Sequence, residues 1–544
     1  MPQPLIRKTM KHHQPFRLRR PVLLAASVLS AVIGMASCSK DPFSMENSDQ
    51  SDAETVGHDM IELGIKLENP YAVRNITKAL ENVSPTKAER TDITPTDMYV
   101  RFLPDSEEEY NRLVECGFNL MEMPLDYQII KDGDYYHDPA VDEDKITWQY
   151  AVIPHDTPLP EGILCEILDD CYIPANDSTK SGDIDWDEVE REAYRITGNG
   201  DMILPETKAS ATAPKGRITI VDDKYAGGRE FGLAGVKIVC NSFVKIATAY
   251  TDRDGYYEMS KKYSTRLHYR ILFKNSLDFA IGFNKIIIPA SMSTLGKGPS
   301  EGIDYTITDK SDRKMFCRSV VNNTVYDYIS RCNEDDLDIP RPPQKLRIWI
   351  FQEMDASSAP MLRHGALLGD GIFKKFLGDY SPVLGLFMPD ITIGVKGAED
   401  YSTIYSRTCH ELAHASHFVK AGKDYWNRYI EYVITSFVTG GGVVYGDGTG
   451  NGSGECCIGE MWGYFMQSAM TADRYGGEMP SDGLAFWFRP HIFRYLYERG
   501  FSRADIFSVL GKDVNSLSVL KTELIENFPE QSDIITQVFT RYSD

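Results

Sequence analysis

The 544-residue chain carries 79 acidic against 58 basic side chains, a formal net charge of −21, which excludes a broad nucleic-acid-binding face and favours solubility. A chain this long outgrows a single hydrophobic core and predicts about three domains. Its ten cysteines show no Cys-x-x-Cys metal spacing; the odd set after Cys38 reads mostly as small buried apolar residues, with Cys165 and Cys171 as a candidate bridge.

In chain order, Arg7, Lys8, Lys11, Arg17, Arg19 and Arg20 precede the apolar run Pro21–Met35 and then Ala36-Ser37-Cys38. A basic segment, an apolar run too short to span comfortably and small residues before a break predict a secretory signal over 1–38. Because it ends in cysteine it resembles a bacterial lipoprotein signal. That resemblance implies a lipidated Cys38, an outer-membrane lipoprotein facing the periplasm or the surface, and membrane contact through the anchor alone. Residues 39–60, rich in Ser, Asp, Glu and Asn, read as a flexible tether.

Residues 61–205 predict a small α+β domain: a helix from Asn69-Pro70 to Asn82, a strand over Met98–Pro104, a capped helix over Asp105–Val114 and a strand over Phe118–Leu125. Nothing in it carries catalytic chemistry, so it reads as a spacer or a propeptide-like cover. From 214 to 300, short alternating runs such as Gly216–Asp222, Gly235–Cys240 and Lys245–Thr251 predict a β-sandwich. Asp252, Asp254 and Gly255 read as a turn, because the other ligands of a calcium loop are missing. The words Leu233-Ala-Gly-Val-Lys-Ile and Ala249-Tyr-Thr-Asp-Arg-Asp-Gly-Tyr-Tyr-Glu-Met resemble the carboxypeptidase regulatory-like domain. The resemblance implies a transthyretin-like sandwich without chemistry of its own.

The remaining stretch, 301–544, predicts a mostly helical domain with a helix over Asp312–Arg331 and strands over Lys345–Phe351 and Asp390–Gly394. The second strand is expected to offer an exposed edge to an extended peptide. Next comes Cys409-His410-Glu411-Leu412-Ala413-His414, an H-E-x-x-H sequence inside a run without Pro or Gly that starts after Asp400 and stops before Gly422. On a helix, His410 and His414 stand one turn apart and can share one Zn²⁺, with Glu411 beside them as general base. His417 lies two turns from His410, too far along an unbroken helix to converge on the same ion. The third ligand is therefore sought downstream, where Glu455 and Glu460 lie on a second apolar helix. Glu460, set among Met461, Trp462, Tyr464 and Phe465, is the expected ligand, and Glu455 the expected cap. The intervening Gly440–Gly454 reads as a loop without phosphate-binding spacing. Tyr445, Tyr464 and His491 qualify by type as oxyanion donors.

The His₂Glu pattern resembles the gluzincins. Signal, α+β segment, sandwich and H-E-x-x-H domain in this order resemble zinc metallopeptidase lipoproteins of Bacteroides-type cell envelopes. The resemblance implies a multidomain α+β chain with a zincin-like catalytic domain, Zn²⁺ on His410, His414 and Glu460, and a peptide or protein as substrate. The alternative expectation is a catalytically silent surface binding or adhesion lipoprotein that keeps a zincin-like shell.

Overall fold

The computed structural model describes residues 60–204, 211–284, 288–334, 336–366, 387–398, 400–439, 445–477, 479 and 487–542. The expected signal with Cys38 and nearly all of the tether lie outside the described residues, as do residues 440–444 of the glycine-rich stretch. The protein is mixed α/β with several sheets. No helix among the described residues is long and apolar enough to cross a membrane.

The first unit comprises β1 (Glu62–Lys66), α1 (Val73–Val83), α2 (Pro85–Ala88), β2 (Asp97–Leu103), α3 (Glu107–Glu115), β3 (Tyr127–Lys131), β4 (Gln149–Pro154), β5 (Leu164–Cys171) and α4 (Trp186–Ile196). β2 is the central strand of an antiparallel sheet in the order β4-β2-β5, and it is buried on both faces. Tyr99 packs towards Ile76, Leu80 and Val189, whereas Met98, Val100 and Phe102 pack towards Leu113 and Ile153. Two expectations fail here. Phe118–Leu125 makes only the isolated bridge Met121–Tyr150, and β4 takes the expected second strand position beside β2. Cys165 and Cys171 are both free; they sit on the single extended strand β5, where a rise of about 3.3 Å per residue keeps their sulfurs far apart. The first helix also begins later than expected, because the Asn69 carboxamide accepts the Tyr71 N–H in a turn outside it.

The second part contains β6 (Lys215–Asp222), β7 (Arg229–Gly232), β8 (Val236–Ser242), β9 (Lys245–Tyr250), β10 (Tyr256–Glu258), β11 (Leu267–Asn275), β12 (Phe279–Phe283), β13 (Met292–Gly298) and β14 (Tyr305–Ile307). It continues into α5 (Arg313–Asn333), β15 (Leu346–Phe351) and β16 (Ile391–Gly394). One sheet is ordered β10-β6-β14 with β7 also on β6; the larger runs β16-β15-β12-β11-β8-β9 with β13 also on β11. Two ladders cross the expected division at 300: β14 pairs parallel with β6, and β15 pairs parallel with β12. Residues from Ile218 to Phe539 accordingly share one core. The Asp252 carboxylate accepts the Asp254 and Tyr256 N–H groups, the local bonding of a turn.

β16 ends the large sheet, but its outer side is not open. Ser358 exchanges both backbone hydrogen bonds with Thr392 at 2.9 and 2.7 Å, and the Ser357 hydroxyl accepts the Gly394 N–H. The expected exposed edge is therefore already paired with the chain's own segment around Ser358, as edge strands commonly are.

The helical layer follows: α6 (Tyr401–Ala421), α7 (Lys423–Thr439), α8 (Ser453–Tyr475), α9 (His491–Glu498), α10 (Arg503–Ser508), α11 (Leu517–Asn527) and α12 (Ser532–Tyr542). α5 is buried along most of its length and lies between the sheets and α6. At the far end of α8, the Arg474 guanidinium and the Tyr475 hydroxyl both donate to the buried Asp222 carboxylate of β6. That bond fixes α8 to the small sheet. The first unit is fixed too, through Arg318–Asp134 at 2.6 Å, Arg347–Glu107 at 2.8 Å and Lys245–Glu190 at 2.9 Å.

Candidate metal centre

The two helices that carry the centre are defined by their ends. Asp400 caps α6 by accepting the Thr403 N–H at 2.8 Å, and Gly422 closes it at φ +85°. Lys224 bonds to the same Asp400 carboxylate and holds it below the usual carboxylate range, at about 2, against the opposing effect of burial. α8 opens after Gly452, also at φ +85°, where a side chain would strike the Arg428 carbonyl oxygen at 2.2 Å.

On α6, the one-turn spacing brings the His410 and His414 rings to 4.6 Å between centroids, with Nε2 atoms 3.0 Å apart. Glu460 of α8 faces both: Oε2 lies 3.5 Å from His410 Nε2, and Oε1 lies 3.7 Å from His414 Nε2. Four ligands at about 2.0–2.1 Å from a tetrahedral ion stand about 3.3 Å from one another, so these spacings suit a common ion. Among the described residues, this is the group of His, Cys, Asp and Glu whose ligand atoms converge.

α8 approaches so closely because position 463 is glycine. A Cβ there would lie 2.8 Å from His410 Nε2 and 2.9 Å from His414 Cε1. Glu460, Gly463 and Gln467 follow the i, i+3, i+7 spacing of one helix face, so the carboxylate, the gap and a further polar group all meet α6. Gln467 Oε1 lies 3.0 Å from His410 Nδ1, and Gln467 Nε2 donates to Ser406 Oγ at 2.8 Å. In this arrangement His410 donates through Nδ1–H, which leaves Nε2 as the lone-pair nitrogen facing Glu460. From α7, the Tyr429 hydroxyl donates to Glu460 Oε1 at 2.5 Å.

His410, Glu411, His414 and Glu460 are each 0% exposed. Glu411 has no hydrogen-bond partner for either carboxyl oxygen among the described residues, and neither Glu460 Oε2 nor His414 Nδ1 has one. Buried polar atoms left this way cost about 1–3 kcal/mol each. Burial, and secondarily the neighbouring Glu460, push the Glu411 carboxyl well above the usual carboxylate range. Burial, with His410 and His417 nearby, pushes His414 well below the usual imidazole range, so its ring is neutral, as a metal ligand must be. A cation at this point would satisfy Glu460 Oε2 and both Nε2 atoms together, and the donor set of two imidazoles and a carboxylate suits a divalent metal ion.

The other residues singled out from sequence fall elsewhere. Glu455 pairs with Arg428 at 2.6 Å in the first turn of α8. His417 packs between Tyr425, Trp426 and Phe507, and burial pushes it down to about 3. Cys409 is buried beside Tyr405, and burial raises its thiol. Among the suggested oxyanion donors, the Tyr464 ring meets His410 edge-on at 4.6 Å. His491 packs on Tyr542, and the Tyr445 carbonyl accepts from Tyr432 and Trp487.

Sequence reasoning missed Gln467, Ser406 and Tyr429. The first two had a signal, because Ser406 lies four residues before His410 and Gln467 seven after Glu460, on the helix faces that carry those two residues. Tyr429 had none, since nothing local tells which aromatic of α7 turns towards α8. No family model matches the chain, and no curated protein matches it significantly.

Proposed function

We propose that the chain is a cell-envelope-anchored zinc metallopeptidase in which His410, His414 and Glu460 hold Zn²⁺ and Glu411 is the general base. The observation that carries this reading is the buried convergence of two imidazoles and a carboxylate beside a second, unpartnered carboxyl group. A bound Zn²⁺ would supply Lewis acidity to a peptide carbonyl and lower the pKa of water towards roughly 7. Glu411 takes the proton of the attacking water and returns it to the leaving amine. Its raised affinity for protons suits the second of these tasks, and the positive charge of a metal ion offsets that rise for the first.

The finer architecture belongs to the same proposal: two facing sheets as a transthyretin-like sandwich, and the α6–α8 pair as the heart of a zincin-like domain. So do a lipid on Cys38, an outer-membrane location facing the periplasm or the surface, and a peptide or protein substrate. One observation favours a second reading, a catalytically silent binding lipoprotein. All four polar residues of the centre are buried, so a substrate reaches them only after some covering chain moves aside. Against it stands Glu411, because a binding protein has no use for a base there.

The test is zinc stoichiometry on the purified chain without its signal, on Glu460→Ala and on Glu455→Ala, followed by peptide-library hydrolysis with Glu411→Gln. Near one zinc per chain, lost with Glu460→Ala alone, is expected. With it goes hydrolysis that falls by about 10²–10⁴ in Glu411→Gln, the usual weight of a general base. No zinc in the unsubstituted protein, even after reconstitution, would overturn the reading; zinc without hydrolysis would select the binding protein.

A further inference from the structure

We infer that Gln467 is a positioning residue for the metal centre: it accepts the His410 Nδ1–H, holds the imidazole with Nε2 towards Glu460, and does so as a neutral group. The inference rests on the zinc-site reading and goes beyond it to a residue that is not a ligand.

An imidazole presents a lone pair at only one nitrogen in its neutral form, and the hydrogen bond at the other nitrogen decides which. At His410 that bond runs to Gln467 Oε1 at 3.0 Å, while Gln467 Nε2 is occupied by Ser406 Oγ at 2.8 Å. Were the carboxamide turned over, its N–H would face Nδ1 and the His410 proton would move to Nε2, the atom 3.0 Å from His414 Nε2. That tautomer cannot bind a metal ion. The third ligand is held in the same manner, since Tyr429 donates to Glu460 Oε1 and leaves Oε2, 3.5 Å from His410 Nε2, without another partner among the described residues.

The neutrality of Gln467 follows from its neighbours. Glu411 and Glu460 already bring two carboxyl groups into a space with no exposed surface. A carboxylate at 467 would make the imidazole a stronger ligand, but it would set a third, half-buried acid beside two buried carboxyl groups in the metal-free protein. The amide gives the orientation without that charge.

The experiment uses the chain stripped with chelator and reads Zn²⁺ affinity by competition with a chromophoric chelator, with the visible spectrum of the Co²⁺ form alongside. Gln467→Leu is expected to bind Zn²⁺ about 10–100-fold more weakly, as loss of such outer partners does, and to alter the Co²⁺ bands. Gln467→Glu, which can only accept, is expected to bind at least as tightly as the unsubstituted chain and to melt at a lower temperature when metal-free. If Gln467→Leu does not fold, Ser406→Ala frees the carboxamide and is expected to weaken Zn²⁺ binding in the same sense. Zn²⁺ binding and Co²⁺ bands unchanged in Gln467→Leu, or in Ser406→Ala where that variant stands in, would overturn the inference while leaving the zinc centre intact. Tight binding lost in Gln467→Glu would also overturn it, by showing that Gln467 donates. An unsubstituted chain that takes up no Zn²⁺ would overturn the metal reading and this inference with it.

Discussion

Two buried polar clusters in this molecule look alike in composition and differ in their hydrogen bonding. Between the first unit and the large sheet, Lys245 and Glu190 are 4% and 5% exposed, and the Lys245 ammonium bonds both Glu190 oxygens at 2.9 Å. Tyr71 donates to the same carboxylate, and the Tyr194 hydroxyl pairs with Ser242. Between α6 and α8, Glu411, Glu460 and His414 are buried more deeply and leave oxygens and a nitrogen without a partner among the described residues. The first cluster is complete with the atoms the chain supplies. The second has converging acceptors that Tyr429 satisfies only at Glu460 Oε1, an arrangement that costs stability unless a cation arrives. Burial of charge is thus no sign of function by itself; incomplete pairing around converging lone pairs is the better one.

The largest effect that would sharpen this contrast is at the complete cluster. Lys245→Met leaves the Glu190 charge buried with only Tyr71 as donor, and is expected to cost about 4 kcal/mol in chemical denaturation. Adding Glu190→Leu to it should return most of that loss, because a well-packed apolar pair replaces a pair whose attraction largely offsets its desolvation. If the double variant is as unstable as the single one, the pair does more than satisfy itself.

The incomplete cluster should respond to an ion in the opposite way. Zn²⁺ at about a hundredfold above its dissociation constant is expected to stabilise the stripped protein by about 2.7 kcal/mol, and to do nothing for Glu460→Ala. Equal stabilisation of both proteins would place the bound zinc elsewhere. A smaller change isolates the closeness of the helices. Gly463→Ala gains about 1 kcal/mol in helix propensity, but it puts a methyl group against both imidazoles at an overpacking cost of about 1–3 kcal/mol. The net loss of stability, at most about 2 kcal/mol, should come with a loss of Zn²⁺ affinity that Gly459→Ala, where an added Cβ would meet nothing within 4 Å, does not show.

The helical part was the more legible in sequence because its signals are local. Asp400 and Gly422 bracket α6, the His spacing sets one face, and the apolar neighbours of Glu460 favour it over Glu455; Glu460 is also the acid that faces the histidines. The sheets were less legible, because pairing is decided far along the chain. The β15 strand reads as a buried run, yet nothing in that run says that it lies beside β12 across the expected division at 300. Likewise Phe118–Leu125 has an apolar pattern of strand type, and Tyr150 of β4 meets it at a single residue, Met121. The covering of β16 by Ser358 was invisible for the same reason: a segment with no strand pattern of its own supplies the hydrogen bonds.

The smallest expected effect is a pH dependence at a histidine beside the centre. His417, enclosed by Tyr425, Trp426 and Phe507, is held neutral down to about 3 by burial, whereas an unfolded chain protonates it near 6.5. Between those values the unfolded state carries a proton that the native state lacks, so stability rises with pH and is lost on acidification. The loss is about 1.4 kcal/mol for each pH unit below 6.5. His417→Leu removes that contribution without adding a polar group to the pocket. In metal-free protein, where His414 contributes equally to both, the stability gap between pH 6.5 and 5.5 should be smaller in the variant by roughly 1 kcal/mol. Denaturation curves at the two pH values give the answer directly. Parallel losses in both proteins would mean that the His417 ring picks up its proton without unfolding, and that the aromatic enclosure opens to water in the native state.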